Sequence, residues 1–189
     1  MSDLGLLAAM LFSEATKNNM DDFKQDATGI AWVAKNRTQR PNRFGETIAD
    51  VVLAPNQFSG VNGDEWNKFM NNNLDDNEQG YAKEALRVAR QVMGGLVDDP
   101  TGGADHYYNP DLASPAWGKL TDPKKVKDNE YYYEQKYESP AHNFFKETLK
   151  PLSKKESDIR FNDAFKKARA EGLEEFEWRG KRYTTEVKR

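Results

Sequence analysis

The chain has 189 residues and no cysteine, so disulfides, thiolate zinc sites and cysteine nucleophiles are excluded, and the length suits one domain with an appendage or two small domains at most. With 37% hydrophobic and 31% charged residues it is polar, and no apolar run approaches the roughly 18 residues that span a bilayer. From Lys150 onward 12 Lys and Arg face 8 Asp and Glu, against 16 and 23 before it; the body is acidic, which argues against a nucleic-acid-binding domain.

In chain order, a first helix is expected from about Leu4 to Lys17, ended by Asn18 and Asn19. A second carries Ile30, Trp32, Val33 and Ala34 into the core and closes on Lys35, Asn36 and Arg37, of which the two cations, Lys35 and Arg37, suit a helix C-terminus. Pro41 breaks the chain, and Thr47 caps a short helix through Val51, Val52 and Leu53 that stops at Pro55. The stretch "PNQFSGVNGDEW" is polar, Gly-rich and aromatic and reads as a loop. Between Asn77 and Met93, apolar residues at 81, 82, 85, 88, 89, 92 and 93 give the best helical period, with Asp75, Asp76 or Asn77 as cap and Gly94-Gly95 as stop.

"DDPTGGADHYYNPDLASPAW" then predicts a turn, a very short extended piece and another loop, and "NEYYYEQKY" a strand that pairs with that extended piece. A helix through Phe144 and Phe145 is expected to finish the body. The resulting division is a body over 1–148, a linker over 149–157 and a C-terminal segment over 158–189. That last segment reads as a helix ended by Gly172 followed by a hairpin, with Phe176 and Trp178 on one strand and Tyr183, Thr185 and Val187 on the other. It is too small for an independent core and needs something to dock on.

The candidate chemistry is sparse. Only His106 and His142 supply imidazole and no HExxH is present, which disfavours a zinc hydrolase; GxSxG, GxGxxG and GxxxxGK[ST] are missing as well. No metal and no cofactor is expected. One residue stands out within the first helix. At 100° per residue Glu14 lies about 20° from Leu7, about 40° from Met10 and about 60° from Leu11, so an acid shares the apolar face. A carboxyl half-buried against apolar neighbours keeps its proton near neutral pH and serves as a general acid. Asp64, Asp105 and Asp111 sit on loops, where solvated or capping roles are expected, so no second carboxylate matches Glu14. Trp32, Phe58 and Trp117 are expected in the core and His106 in a structural hydrogen bond.

Several motifs in one order carry a family resemblance: Glu14-Ala15, "AWVAKNR" at 31–37, "NQFSG" at 56–60, "DPTGGADHYYNP" at 99–110 and "ASPAW" at 113–117. Over about 4–133 the chain resembles the SleB-type cell-wall hydrolases, the spore cortex-lytic family that also occurs in bacteria and their phages. The family usually follows Glu-Ala with Arg-Gly-Glu, where this chain has Thr16, Lys17 and Asn18. The resemblance implies a mainly α (α+β), lysozyme-like catalytic domain with a small β element. It also implies cleavage of peptidoglycan glycan strands between N-acetylmuramic acid and N-acetylglucosamine, with Glu14 as acid/base. A single acid suits a lytic transglycosylase, in which the muramyl 6-hydroxyl attacks and leaves a 1,6-anhydro end; a muramidase would use water.

Sugar rings have apolar faces edged with hydroxyls, and Gln57, Ser59, Tyr107, Tyr108 and Asn109 supply the matching mixture of aromatic, amide and hydroxyl groups. Strand alternation puts Tyr107 and Tyr108 on opposite faces and leaves Tyr107 open between core packing and substrate contact. The C-terminal helix and hairpin are similar to short terminal segments of tailed-phage virion proteins, which implies a virion partner. The expected setting is an enzyme made in a host cytoplasm without a signal peptide, acting on the wall as an endolysin or from a virion, with no nucleic acid and no membrane span. The competing reading is a non-catalytic virion or wall-binding module on the same fold.

Overall fold

The computed structural model describes residues 2–127, 130–150 and 154–186. Ser2 starts the first helix, α1 (Asp3–Glu14), by accepting from the Gly5 N–H at 3.3 Å. Seven consecutive residues from Leu6 to Phe12 are buried. A helix that is apolar all round needs partners all round, and the chain supplies them in α2 (Met20–Thr38), α4 (Ile48–Leu53), α5 (Asp64–Met70) and α6 (Asp76–Met93). Between α2 and α4 lies the single turn of α3 (Pro41–Phe44), where Pro41 occupies the first helical position that tolerates a missing N–H.

Each long helix starts where its sequence dictates. Asn19 accepts from the Asp22 N–H to open α2, Thr47 and Asp50 form a capping box on α4, and Asp75 with Glu78 does the same for α6. One face of α6, made of Tyr81, Ala82, Ala85, Val88, Ala89 and Val92, closes on α1 and α2. Trp32 departs from expectation: it is only half-buried at the edge of the core, with the Lys35 Nζ 4.5 Å over its ring.

A three-stranded antiparallel sheet follows, and here two expectations fail. The segment after Pro140 is a strand, β3 (Asn143–Leu149), and not a helix. It lies in the middle of the order β1-β3-β2, so the short strand β1 (His106–Tyr108) pairs with β3 and not with β2 (Tyr131–Glu138). The physical reason lies in the two adjacent aromatics. In an extended chain Phe144 and Phe145 point to opposite faces; Phe144 is fully buried in the helical core, while Phe145 packs on Trp117 and Tyr108. A helix would set them only about 100° apart, unable to serve two opposite layers. Phe144 comes so close to α2 that a Cβ on Gly29 would meet its ring at 2.6 Å, which accounts for a glycine in mid-helix.

Trp117 opens a 3₁₀ turn, Trp117–Lys119, and joins His106, Tyr133 and Phe145 in an aromatic cluster on the far side of the sheet. The chain divides into two compact units, one of residues 1–125 and 131–148, the other of 126–130 and 149–189. Within the second, α7 (Lys154–Ala170) sets Phe161 and Phe165 against Phe176 and Tyr183 of the hairpin β4 (Glu175–Trp178) and β5 (Lys181–Thr184). Helix α7 begins inside the expected linker. The hairpin turns through Arg179 and Gly180, both at positive φ, the geometry whose twist matches the strands. Val187 lies outside the described residues.

Candidate active site

Glu14 is the last residue of α1, and the chain leaves the helix at Ala15 in extended conformation. Its stem continues the buried face while its head enters a cleft of about 1010 Å³. The loop after α4 forms one wall. Asn56 and Asn62 turn it at φ 61° and 66°, left-handed values that asparagine tolerates better than most residues. Gly60 lies so close to the end of α1 that a Cβ there would meet the Ser13 Oγ at 2.8 Å. That close approach lets the Gly60 N–H donate to the Glu14 Oε1. The Ser59 hydroxyl donates to Oε1 at 3.2 Å and to Oε2 at 3.4 Å, and the Tyr107 hydroxyl donates to Oε2 at 2.8 Å.

Three donors therefore hold the carboxylate, one from a loop backbone, one from a serine and one from β1. The helix period predicts a carboxyl half-buried against apolar neighbours; in the structure Glu14 is half-buried and its head meets three hydrogen-bond donors. Burial, and next the negative charge of Glu14, hold the Tyr107 hydroxyl well above the usual tyrosine range, so it remains a donor.

All five residues expected to bind substrate, Gln57, Ser59, Tyr107, Tyr108 and Asn109, line this cleft. Of the two roles left open for Tyr107 the structure shows core packing, its ring stacked on Phe144 at 5.7 Å, and its hydroxyl adds a bond to Glu14. Tyr108 points the other way, stacked on Phe145 at 5.4 Å, yet still edges the cleft. Asn109 uses its side-chain oxygen on the Asp111 N–H at 2.9 Å, shaping the turn that follows β1. Phe58 is buried, as expected, and His106 bonds Asp105 through Nδ1 at 2.8 Å.

The loop aspartates do not enter the cleft. Asp105 is neither solvated nor a cap. It is 3% exposed and takes the Glu147 N–H, Arg40 and His106 as partners. Burial pushes its carboxyl up, but the bonds from His106 and the Glu147 N–H, with the charge of Arg40, outweigh that and hold it below the usual range. Among the described residues Glu14 is the only acid lining the cleft, and no group of three or more His, Asp or Glu is placed to hold a metal ion.

Two features escaped the sequence reading. Arg37, taken as a helix-end cation, is 5% exposed and lines the cleft. Its Nε donates to the Asp105 carbonyl at 2.8 Å, its guanidinium lies 4.9 Å from the Phe58 ring and 5.1 Å from the Phe44 ring, and its Nη1 is buried with no hydrogen-bond partner among the described residues. Burial lowers its pKa, opposed by Tyr107, Asp105 and Glu14. The other feature is an imidazole in the cleft wall. His142 Nδ1 lies 2.9 and 3.0 Å from the two oxygens of Asp26, a fully buried acid that also accepts from the Thr16 N–H at 3.0 Å and from the Ser139 hydroxyl. No local signal links Asp26 to His142, 116 residues later.

The family model described as Cell Wall Hydrolase matches residues 22–133, well over half of the chain. The chain belongs to the cell wall hydrolase family. Glu14 precedes the matched span of this cell wall hydrolase, which includes the Ser59 loop and β1. Two solved structures share the fold of the hydrolase. One is the catalytic domain of the germination-specific lytic transglycosylase SleB from Bacillus anthracis, at 21% identity and TM-score 0.52, covering 76% of this chain and 93% of that one. The other is the catalytic domain of the Bacillus cereus SleB protein, at 21% identity and TM-score 0.51, covering 76% and 89%. No curated protein matches the sequence.

Proposed function

We propose that this cell wall hydrolase cleaves peptidoglycan glycan strands between N-acetylmuramic acid and N-acetylglucosamine as a lytic transglycosylase, with Glu14 as its acid/base. The observation that carries the reading is a single acid in an aromatic and amide-lined cleft, with its head held by Gly60, Ser59 and Tyr107. The similarity in fold to the SleB lytic transglycosylase domain supports it.

In this reading the two carboxyl oxygens have different tasks. Gly60 is a backbone N–H that donates and cannot accept, so Oε1 stays an acceptor. The transferable proton then belongs on Oε2, whose partners Tyr107 and Ser59 are hydroxyls able to rotate and accept. Glu14 gives this proton to the glycosidic oxygen as the bond to the muramyl C1 breaks. The muramyl 6-hydroxyl then closes on C1 and returns its proton to Glu14, leaving a 1,6-anhydro end. Tyr108, Gln57 and Asn109 face the sugars.

The part of the second unit from 149 onward lies beyond the matched span and packs its own aromatic cluster. Its composition and the virion-like motif support a role in docking a phage-borne enzyme to its particle.

Digestion of purified peptidoglycan by the parent and by Glu14→Gln, with fragments identified by mass spectrometry, tests the reading. Loss of at least 100-fold in anhydromuramyl release is expected, since general acid catalysis contributes about that much. Equal release by a folded Glu14→Gln protein would refute it, and no cleavage by the parent would favour the non-catalytic wall-binding module.

A further inference from the structure

The Asp26–His142 pair plays no part in the transglycosylase cycle, yet its His142 lines the same cleft, with Asp26 behind it. Its construction is costly. Asp26 is fully buried and His142 is 7% exposed, and the turn that carries the imidazole is pinned by Ser139, whose N–H donates to the His142 carbonyl at 2.9 Å and whose Oγ accepts from the His142 N–H at 3.1 Å. Thr16, two residues beyond Glu14, donates its N–H to the same carboxylate, so the chain segment that places the acid also places the pair. An acceptor against Nδ1 fixes the imidazole tautomer with its proton there and its lone pair on Nε2, the nitrogen left for the cleft.

The Tyr107 side chain stands between the two groups. Its hydroxyl reaches Glu14, and its ring meets the His142 ring edge-on at 5.0 Å. Glycosidases that use water keep acid and base about 6.5–9.5 Å apart to leave room for it. The cleft lacks a second carboxylate among the described residues, and His142 is the imidazole that lines it.

We infer that Asp26 and His142 form a water-activating base, giving the enzyme a hydrolytic branch beside transglycosylation; this deepens the proposed function and rests on it. In that branch Glu14 passes its proton to the leaving oxygen while the C1–O bond breaks. A water attacks the muramyl C1 from beside His142, one of its protons moves to Nε2, and the product carries a reducing end. The imidazolium, held by Asp26, then loses its proton to solvent, and Glu14 takes one up.

The experiment digests peptidoglycan in ¹⁸O-labelled water with the parent, Glu14→Gln, His142→Gln and Asp26→Asn, and reads the ratio of labelled reducing ends to 1,6-anhydro ends by mass spectrometry. A ratio is used because unfolded molecules add to neither product. The parent is expected to yield both ends, and His142→Gln to lower the ratio at least tenfold. Asp26→Asn, which keeps the imidazole but loses its acceptor, lowers it less. Only anhydro ends from the parent, or an unchanged ratio in both variants, would overturn the hydrolytic branch and leave the transglycosylase standing. Full activity of Glu14→Gln would overturn the proposed function, and this inference with it.

Discussion

Tyr107 is the residue on which both the sheet and the site depend. Its ring belongs to the core beside Phe144, and its hydroxyl donates to Oε2 of the ionised Glu14 carboxylate, the form left when the proposed proton has been given up. Tyr107→Phe keeps the first role and removes the second. A hydrogen bond to a charged group is worth about 1.5–3 kcal/mol, so anhydromuramyl release should fall about 10- to 100-fold while the thermal midpoint barely moves. An active-site titration alongside a melting curve checks this, and a large fall in Tm with unchanged activity would contradict it. Arg37 shows what residue-level reading misses. As a letter at a helix end it looks solvated, and only the rings of Phe44 and Phe58 and the Asp105 carbonyl account for its burial.

At the scale of elements, α2 and β3 are fitted to each other at one point. Gly29→Ala would push a methyl into the Phe144 ring, and overpacking of that kind costs about 1–3 kcal/mol. Phe144→Leu made together with Gly29→Ala should recover part of the loss, a coupling that urea denaturation of the two single variants and the double variant would measure. Additive losses would show that the contact is not the cause. The same pair explains why β3 was misread as helix. Two adjacent phenylalanines have neither a period of 3.6 nor one of 2, so local pattern is silent. The partners that settle the matter, α2 on one face and Trp117 on the other, come from elsewhere in the chain. Helices α1, α2 and α6 were legible because caps and periods lie within them.

Across the first unit, a buried ionic network ties the helical layer to the sheet. Arg40, just before α3, pairs with Asp105 and with Glu147 on β3, and Tyr133 on β2 donates to Glu147 at 2.9 Å. Burial, and then Glu147, push the Tyr133 hydroxyl up to about 12. Asp105 is held below its ordinary value of 3.8 in the folded chain. Its contribution to stability is therefore complete above that value and is lost as pH falls through the lower, folded one. Asp105→Asn should melt below the parent at pH 7, and the gap should narrow as the pH drops under about 4. A gap independent of pH, in melting curves taken from pH 7 to pH 2, would refute this role.

By itself the sequence determined the helical framework, the presence of Glu14 on the first helix and the membership of the Ser59 loop and β1 in one motif series. Those features follow from caps, periods and short spacings, which act over one or two turns of chain. The tertiary structure alone decided which strand lies central, that Gly60 and Tyr107 hold the carboxylate, that Arg37 is buried and that Asp26 meets His142. Tyr107 lies 93 residues from Glu14 and His142 lies 116 from Asp26. Contacts of that span depend on how whole elements pack, and composition near either partner carries no trace of the other.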